Sequence, residues 1–93
     1  MTYEFFAGQV NTKFSLPDAA AELELIEVTN PTVTMSQTFF SLFFLGRGEP
    51  VLPQATYRME HEQLSSLEIF LVPVSREADG FRYEAVFNFL NEA

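Results

Sequence analysis

Cysteine is absent from this 93-residue chain. That removes disulfides, thiolate metal sites and thiol nucleophiles together, and it fits a reducing compartment. Tryptophan is absent too, histidine occurs once, and five basic residues stand against 13 acidic ones for a net charge of −8. Lys13, Arg47, Arg58, Arg76 and Arg82 are scattered along the sequence. The basic patch of a phosphate-backbone binder is missing, so no nucleic-acid partner is expected. Anionic membrane surfaces are disfavoured for the same reason. The longest apolar run, Phe39 to Leu45, is interrupted by Ser41 and falls far short of the roughly 20 residues that span a bilayer. The opening Met1-Thr2-Tyr3-Glu4-Phe5-Phe6 lacks the basic start of a signal peptide. A soluble, unexported, cytoplasmic protein without a membrane partner is expected.

What is present is hydrophobic and aromatic: 47% of residues are hydrophobic and 11 are Phe. The length predicts one domain over residues 1–93, with an interior built from Phe and Leu. The strongest local signal runs from Leu67 to Phe89 and predicts a C-terminal β-hairpin. Ala78-Asp79-Gly80 has the chemistry of a three-residue loop closed by Gly in the left-handed region. Glu77 then pairs with Phe81, Val74 with Glu84, Val72 with Val86, Leu71 with Phe87 and Ile69 with Phe89. The odd positions of both strands fall on one face, which marks the core stripe. Pro73 cannot donate to a ladder, so its strand is an edge there or carries a bulge.

Four more segments read as strands. Val10 to Leu16 alternates cleanly up to Pro17-Asp18. Ala19 to Val28 alternates with a phase slip at Leu25-Ile26 that suits a β-bulge. Thr38 to Leu45 is apolar on nearly both faces and ends at Gly46-Arg47-Gly48. Ala55 to Glu62 puts Ala55, Tyr57, Met59 and His61 on one side. Six strands with short turns and no strong helix predict an all-β fold: a six- or seven-stranded, mainly antiparallel sandwich or small barrel.

No catalytic constellation emerges. His61 shares parity with Tyr57 and Met59, while Glu60 and Glu62 point to the other face; a structural, partly buried histidine is expected rather than a general base. No second His exists for a zinc-protease pair. Glu22 and Glu24 lie about 7 Å apart on one strand face and read as solvated carboxylates beside an apolar stripe. Gly46-Arg47-Gly48 lacks the GK[ST] ending and following helix of a phosphate loop. Neither metal nor cofactor is expected. Phe70, Val72 and Val74, however, are apolar opposite the core stripe. Left exposed, they would form a patch of the size that marks an interaction site, for a protein partner or for self-association.

Several stretches carry a family resemblance: F-S-L-F-F at Phe40 to Phe44, Q-A-T-Y-R-M-E-H at Gln54 to His61, F-L-V-P-V at Phe70 to Val74, Y-E-A-V-F-N at Tyr83 to Asn88, and the early F-x-L at Phe14 to Leu16. Together they resemble a family of small bacterial β-domains catalogued only as a domain of unknown function. Members commonly show Gly a few residues after the His, where this chain has Ser65-Ser66. Family members look like companions of phage-tail-collar-type proteins, and the resemblance implies an assembly or accessory role with no site residue to carry over. The expected function is therefore a non-enzymatic structural or protein-interaction module, phage-tail-like or a particle-assembly accessory. The alternative is a small-ligand-binding β-barrel with an aromatic-lined pocket.

Overall fold

Period-two alternation of apolar and polar residues recurs along the chain, and in a computed structural model these runs become strands. The structure describes residues 2–48 and 50–91. A one-turn helix α1 (Tyr3–Ala7) leads into β1 (Lys13–Leu16), a 3-10 turn (Pro17–Ala19), β2 (Ala21–Val28), β3 (Thr32–Val33), β4 (Gln37–Gly46), β5 (Ala55–His61), β6 (Leu64–Glu77) and β7 (Gly80–Leu90). The strands lie in the order β2-β1-β5-β6-β7-β4-β3, and a β2–β4 pairing closes the sheet. The result is a closed six-stranded antiparallel barrel with β3 as an extra strand beside β4. Of the two expected architectures, sandwich and barrel, the chain adopts the barrel.

Inward positions of every barrel strand fill the interior. Phe14, Leu16, Leu23, Leu25, Leu42, Phe44, Met59 and Leu71 are all buried, with Phe40, Ile69, Tyr83 and Ala85 beside them. Phe14 meets Phe44 edge to face at 5.5 Å, a geometry that adds to simple area burial. The Tyr83 hydroxyl accepts the Leu52 N–H at 2.9 Å, so its polar end is satisfied. At one end of the barrel α1 inserts Phe6, whose ring meets Phe87 edge-on at 4.9 Å. Thr2 caps this helix by accepting the Phe5 N–H.

The phase slip expected at Leu25-Ile26 is a β-bulge: the β2–β4 register shifts between Leu25 and Glu27. Pro73 also sits beside a bulge, since the β6–β7 register shifts between Pro73 and Ser75. That resolves the choice between edge and bulge, because the irregularity spares the ladder a missing donor.

The hairpin register differs from the expected one. The loop holds two residues, Ala78 and Asp79, with Glu77 opposite Gly80 and Arg76 opposite Phe81. Gly80 has φ +155°, not the left-handed helical conformation. A Cβ there would lie 2.2 Å from the Gly46 carbonyl oxygen, so close approach of two backbones requires this glycine. Past the bulge Val72 faces Glu84, not Val86. Leu71 pairs with Ala55 and Ile69 with Tyr57 on β5, while Phe87 pairs with Phe40 and Phe89 with Thr38 on β4. The expected Leu71–Phe87 and Ile69–Phe89 pairs therefore do not form.

The face assignment survives this correction. One slip at the turn and one at the bulge make two, and a shift of two residues restores the side on which each residue points. Two further expectations are corrected at the N-terminus. The first strand begins at Lys13 rather than Val10, because Asn11 takes φ 73°, a left-handed geometry that Asn tolerates. The helix at Tyr3–Ala7 went unforeseen because five residues are too few to show helical periodicity.

Candidate functional site

His61 ends β5 facing inward and is 6% exposed. Its Nδ1 accepts the Gln63 N–H at 3.0 Å, which leaves the hydrogen on Nε2. Nε2 then donates to the Thr12 hydroxyl at 2.9 Å, and that hydroxyl donates onward to the Gln9 carbonyl at 2.7 Å. The ring also packs on Phe14, with centroids 4.4 Å apart. Both nitrogens are thus occupied in tying the N-terminal segment to the end of β5. The ring is buried on the inward side that its parity with Tyr57 and Met59 predicted.

A shallow groove of about 400 Å³ passes His61, with Lys13, Ser15, Glu22, Glu60 and Glu62 along it. Ser15 stands between Glu22 of β2 and Glu60 of β5 in the sheet, while the His61 ring is buried on the inward side. Ser15 Oγ points to the Glu60 carbonyl oxygen at 3.5 Å. Glu60 accepts from Arg58 at 2.6 Å, and Glu22 lies 3.7 Å from Lys13. Glu24, the other carboxylate of the expected solvated pair, accepts from Arg47 at 2.9 Å. Glu22, Glu24 and Glu60 thus each have a cation within ion-pair reach. Arg58 also grips Asp18 and, through hydrogen bonding and charge, holds that carboxyl below its usual range. Among the described residues, no group of three or more His, Cys, Asp or Glu is arranged to hold a metal ion. None of the helices among them is long and apolar enough to cross a membrane.

The outer wall of the barrel offers a different surface. Phe70, Val72 and Val74 lie along β6, with Phe70 50% and Val74 45% exposed and Val72 half-buried. Val74 is the extra residue of the bulge, pushed outward where two residues oppose one. Val72 stands opposite Glu84, where the β6–β7 ladder ends; beyond it Phe70 pairs with Thr56 of β5 and Val86 with Ser41 of β4. Val86 is 61% exposed. The neighbouring charges of β7 turn away from this row. Glu84 accepts from the Ser41 hydroxyl of β4 at 2.8 Å. Arg82 bonds Glu27 at 2.7 Å and lies over the Phe43 ring, 4.5 Å from its centroid. Phe70, Val72 and Val74 thus form an apolar row along β6.

The sequence placed Phe70, Val72 and Val74 on the outer face of β6, and Val86 is exposed on the outer face of β7. Its signal was the alternation of β7, in which Val86 interrupts the polar stripe of Arg82, Glu84 and Asn88. A second exposed apolar group escaped the sequence reading altogether: Val33, Met35, Phe89 and Leu90. No alternation flags it, because it forms where β3, β4 and β7 run beyond the barrel.

No curated protein and no solved structure matches the chain. Residues 1–87 match the sequence profile of one family, so the resemblance carried by Phe14 to Leu16 and Phe40 to Asn88 extends over nearly the whole barrel. The chain belongs to the family described as a domain of unknown function (DUF6916).

Proposed function

We propose that this chain is a non-enzymatic structural or protein-interaction module that docks a protein partner on the outer wall of its barrel. The observation that carries the reading is the row of Phe70, Val72 and Val74 along β6, with Phe70 and Val74 about half exposed, beside which Glu84 and Arg82 are bound to Ser41 and Glu27. A contiguous apolar patch with a polar rim is how interaction surfaces present themselves on small domains. The acidic balance of −8 supports a protein partner over nucleic acid or an anionic membrane. The resemblance to companions of phage-tail-collar-type proteins supports an accessory role in a bacterial tail-like or particle assembly, put together in the cytoplasm. The alternative, a small-ligand-binding barrel with an aromatic-lined pocket, finds less support, because side chains fill the space such a ligand would need.

Affinity capture from the native host tests the proposal, comparing the wild-type chain with Phe70→Ser and Val74→Ser variants by mass spectrometry. Both side chains are about half exposed, so the variants should fold, which circular dichroism checks. A protein captured by the wild type and lost from both variants is the expected result. Identical captures from all three, or none from any, would overturn the outer wall as the docking face.

A further inference from the structure

The core stripe of β4 and β7 does not stop at the barrel mouth. Phe40 is buried opposite Phe87. Two residues further out on the same face, Phe89 pairs with Thr38, which pairs in turn with Val33 of β3. Exposure rises along this line, from 2% at Phe40 to 37% at Phe89 and 68% at Val33. The three strands thus form a small platform with an inner face that the barrel no longer covers. Between it and α1 lies a groove of about 420 Å³, walled by Tyr3, Pro31, Val33, Thr38, Phe40 and Phe89. Among the described residues, Glu4 is the one charged residue on its rim.

Beside the groove stands a rigid knob. The β3–β4 turn is closed by Thr34 and Gln37, whose backbones bond at 2.8 Å while the Thr34 hydroxyl accepts the Gln37 N–H at 3.0 Å. Asn91 ties the turn to the end of β7 from three atoms. Its backbone N–H donates to the Ser36 carbonyl, its Nδ2 donates to the Thr34 carbonyl, and its Oδ1 accepts from the Thr38 hydroxyl. From this fastened turn Met35 projects 102% exposed. A large apolar side chain held on a fixed backbone needs little further ordering on binding, and Met adapts to irregular apolar gaps.

Charge says what occupies the groove. The chain carries no Asp, Glu, Lys, Arg or His between Glu27 and Arg47, and none between Glu84 and Glu92. The platform is built from these two stretches. Two copies, each at −8, repel wherever their acidic surfaces meet, but here they can touch almost without like-charge contact. We infer that the platform is a homodimer surface: two copies stack inner face to inner face about a two-fold axis, and each inserts Met35 into the other's groove. Knob and groove lie on one platform, which an isologous contact requires. This surface is separate from the row of Phe70 to Val74, so a second partner can dock on the outer wall of either copy.

Sedimentation velocity of the full chain from low to high micromolar concentration tests the inference, with Met35→Lys, Val33→Asp and Phe70→Ser variants alongside. A reversible monomer–dimer equilibrium is expected. Met35→Lys and Val33→Asp should weaken it about tenfold or more, while Phe70→Ser leaves it unchanged. Because Met35 is fully exposed, its variant should melt like the wild type, and a lost dimer then reports the contact rather than the fold. A strict monomer throughout, a dimer indifferent to Met35→Lys, or one abolished only by Phe70→Ser would overturn the inference. Capture of a foreign protein by monomeric wild type through Met35 would overturn it as well, while leaving the outer-wall proposal to its own test.

Discussion

At the scale of single residues, His61 shows how a polar side chain earns a place in an aromatic interior. Each ring nitrogen has one partner of the right polarity, and the chain His61–Thr12–Gln9 ends on a backbone carbonyl. Buried polar groups are stabilising only when bonded in this way. His61→Gln can keep one of the two bonds but not both, and it loses the ring contact with Phe14. A loss of about 1–3 kcal/mol in urea melts is expected, with partner capture retained. Loss of capture at unchanged stability would instead assign the histidine to binding.

Strands and their bulges are the next scale. Phe44 and Phe87 sit on β4 and β7 and both face inward, yet their surroundings differ. Phe44 is fully buried in the barrel, whereas Phe87 is half-buried at the mouth, against Phe6, Phe40 and Phe89. Truncating a fully buried Phe costs about 3–5 kcal/mol through lost transfer energy and a residual cavity. Phe44→Ala should fall in that range and Phe87→Ala nearer its lower bound, compared as shifts in the denaturant midpoint. Equal costs would mean that α1 seals the mouth more completely than the exposures indicate. The hairpin carries a related lesson. Its turn and its bulge each move the register by one residue, and the local pattern of β6 and β7 is blind to any shift of two.

For the whole molecule, charge governs behaviour. At neutral pH the excess of carboxylates makes copies repel, least where β3, β4 and the end of β7 carry no charged residue between Glu27 and Arg47 or between Glu84 and Glu92. The sequence pI is about 4.3, so acidification towards that value removes the mutual repulsion. Solubility should pass through a minimum near pH 4.3, and the dimer should tighten as the pH falls towards it. Sedimentation across a pH series at fixed ionic strength measures this. A dimer that weakens on acidification would show that ionised carboxylates hold it together, contrary to the geometry of the platform.

Sequence alone determined which way most side chains point. Period-two alternation gave the core stripe of β5, the inward set of β6 and β7, the bulge in β2 and the outward row Phe70, Val72 and Val74, because facing in a strand depends only on parity along the chain. Tertiary structure decided everything that depends on partners. Barrel rather than sandwich follows from the β2–β4 pairing, a contact between distant segments that no local pattern encodes. The division of β6 between β5 and β7, and of β7 between β6 and β4, set the true register for the same reason. Likewise, Met35 and Val33 are unremarkable in sequence. They become a surface only because β3, β4 and β7 outrun the barrel and Asn91, more than fifty residues away, fastens their tip.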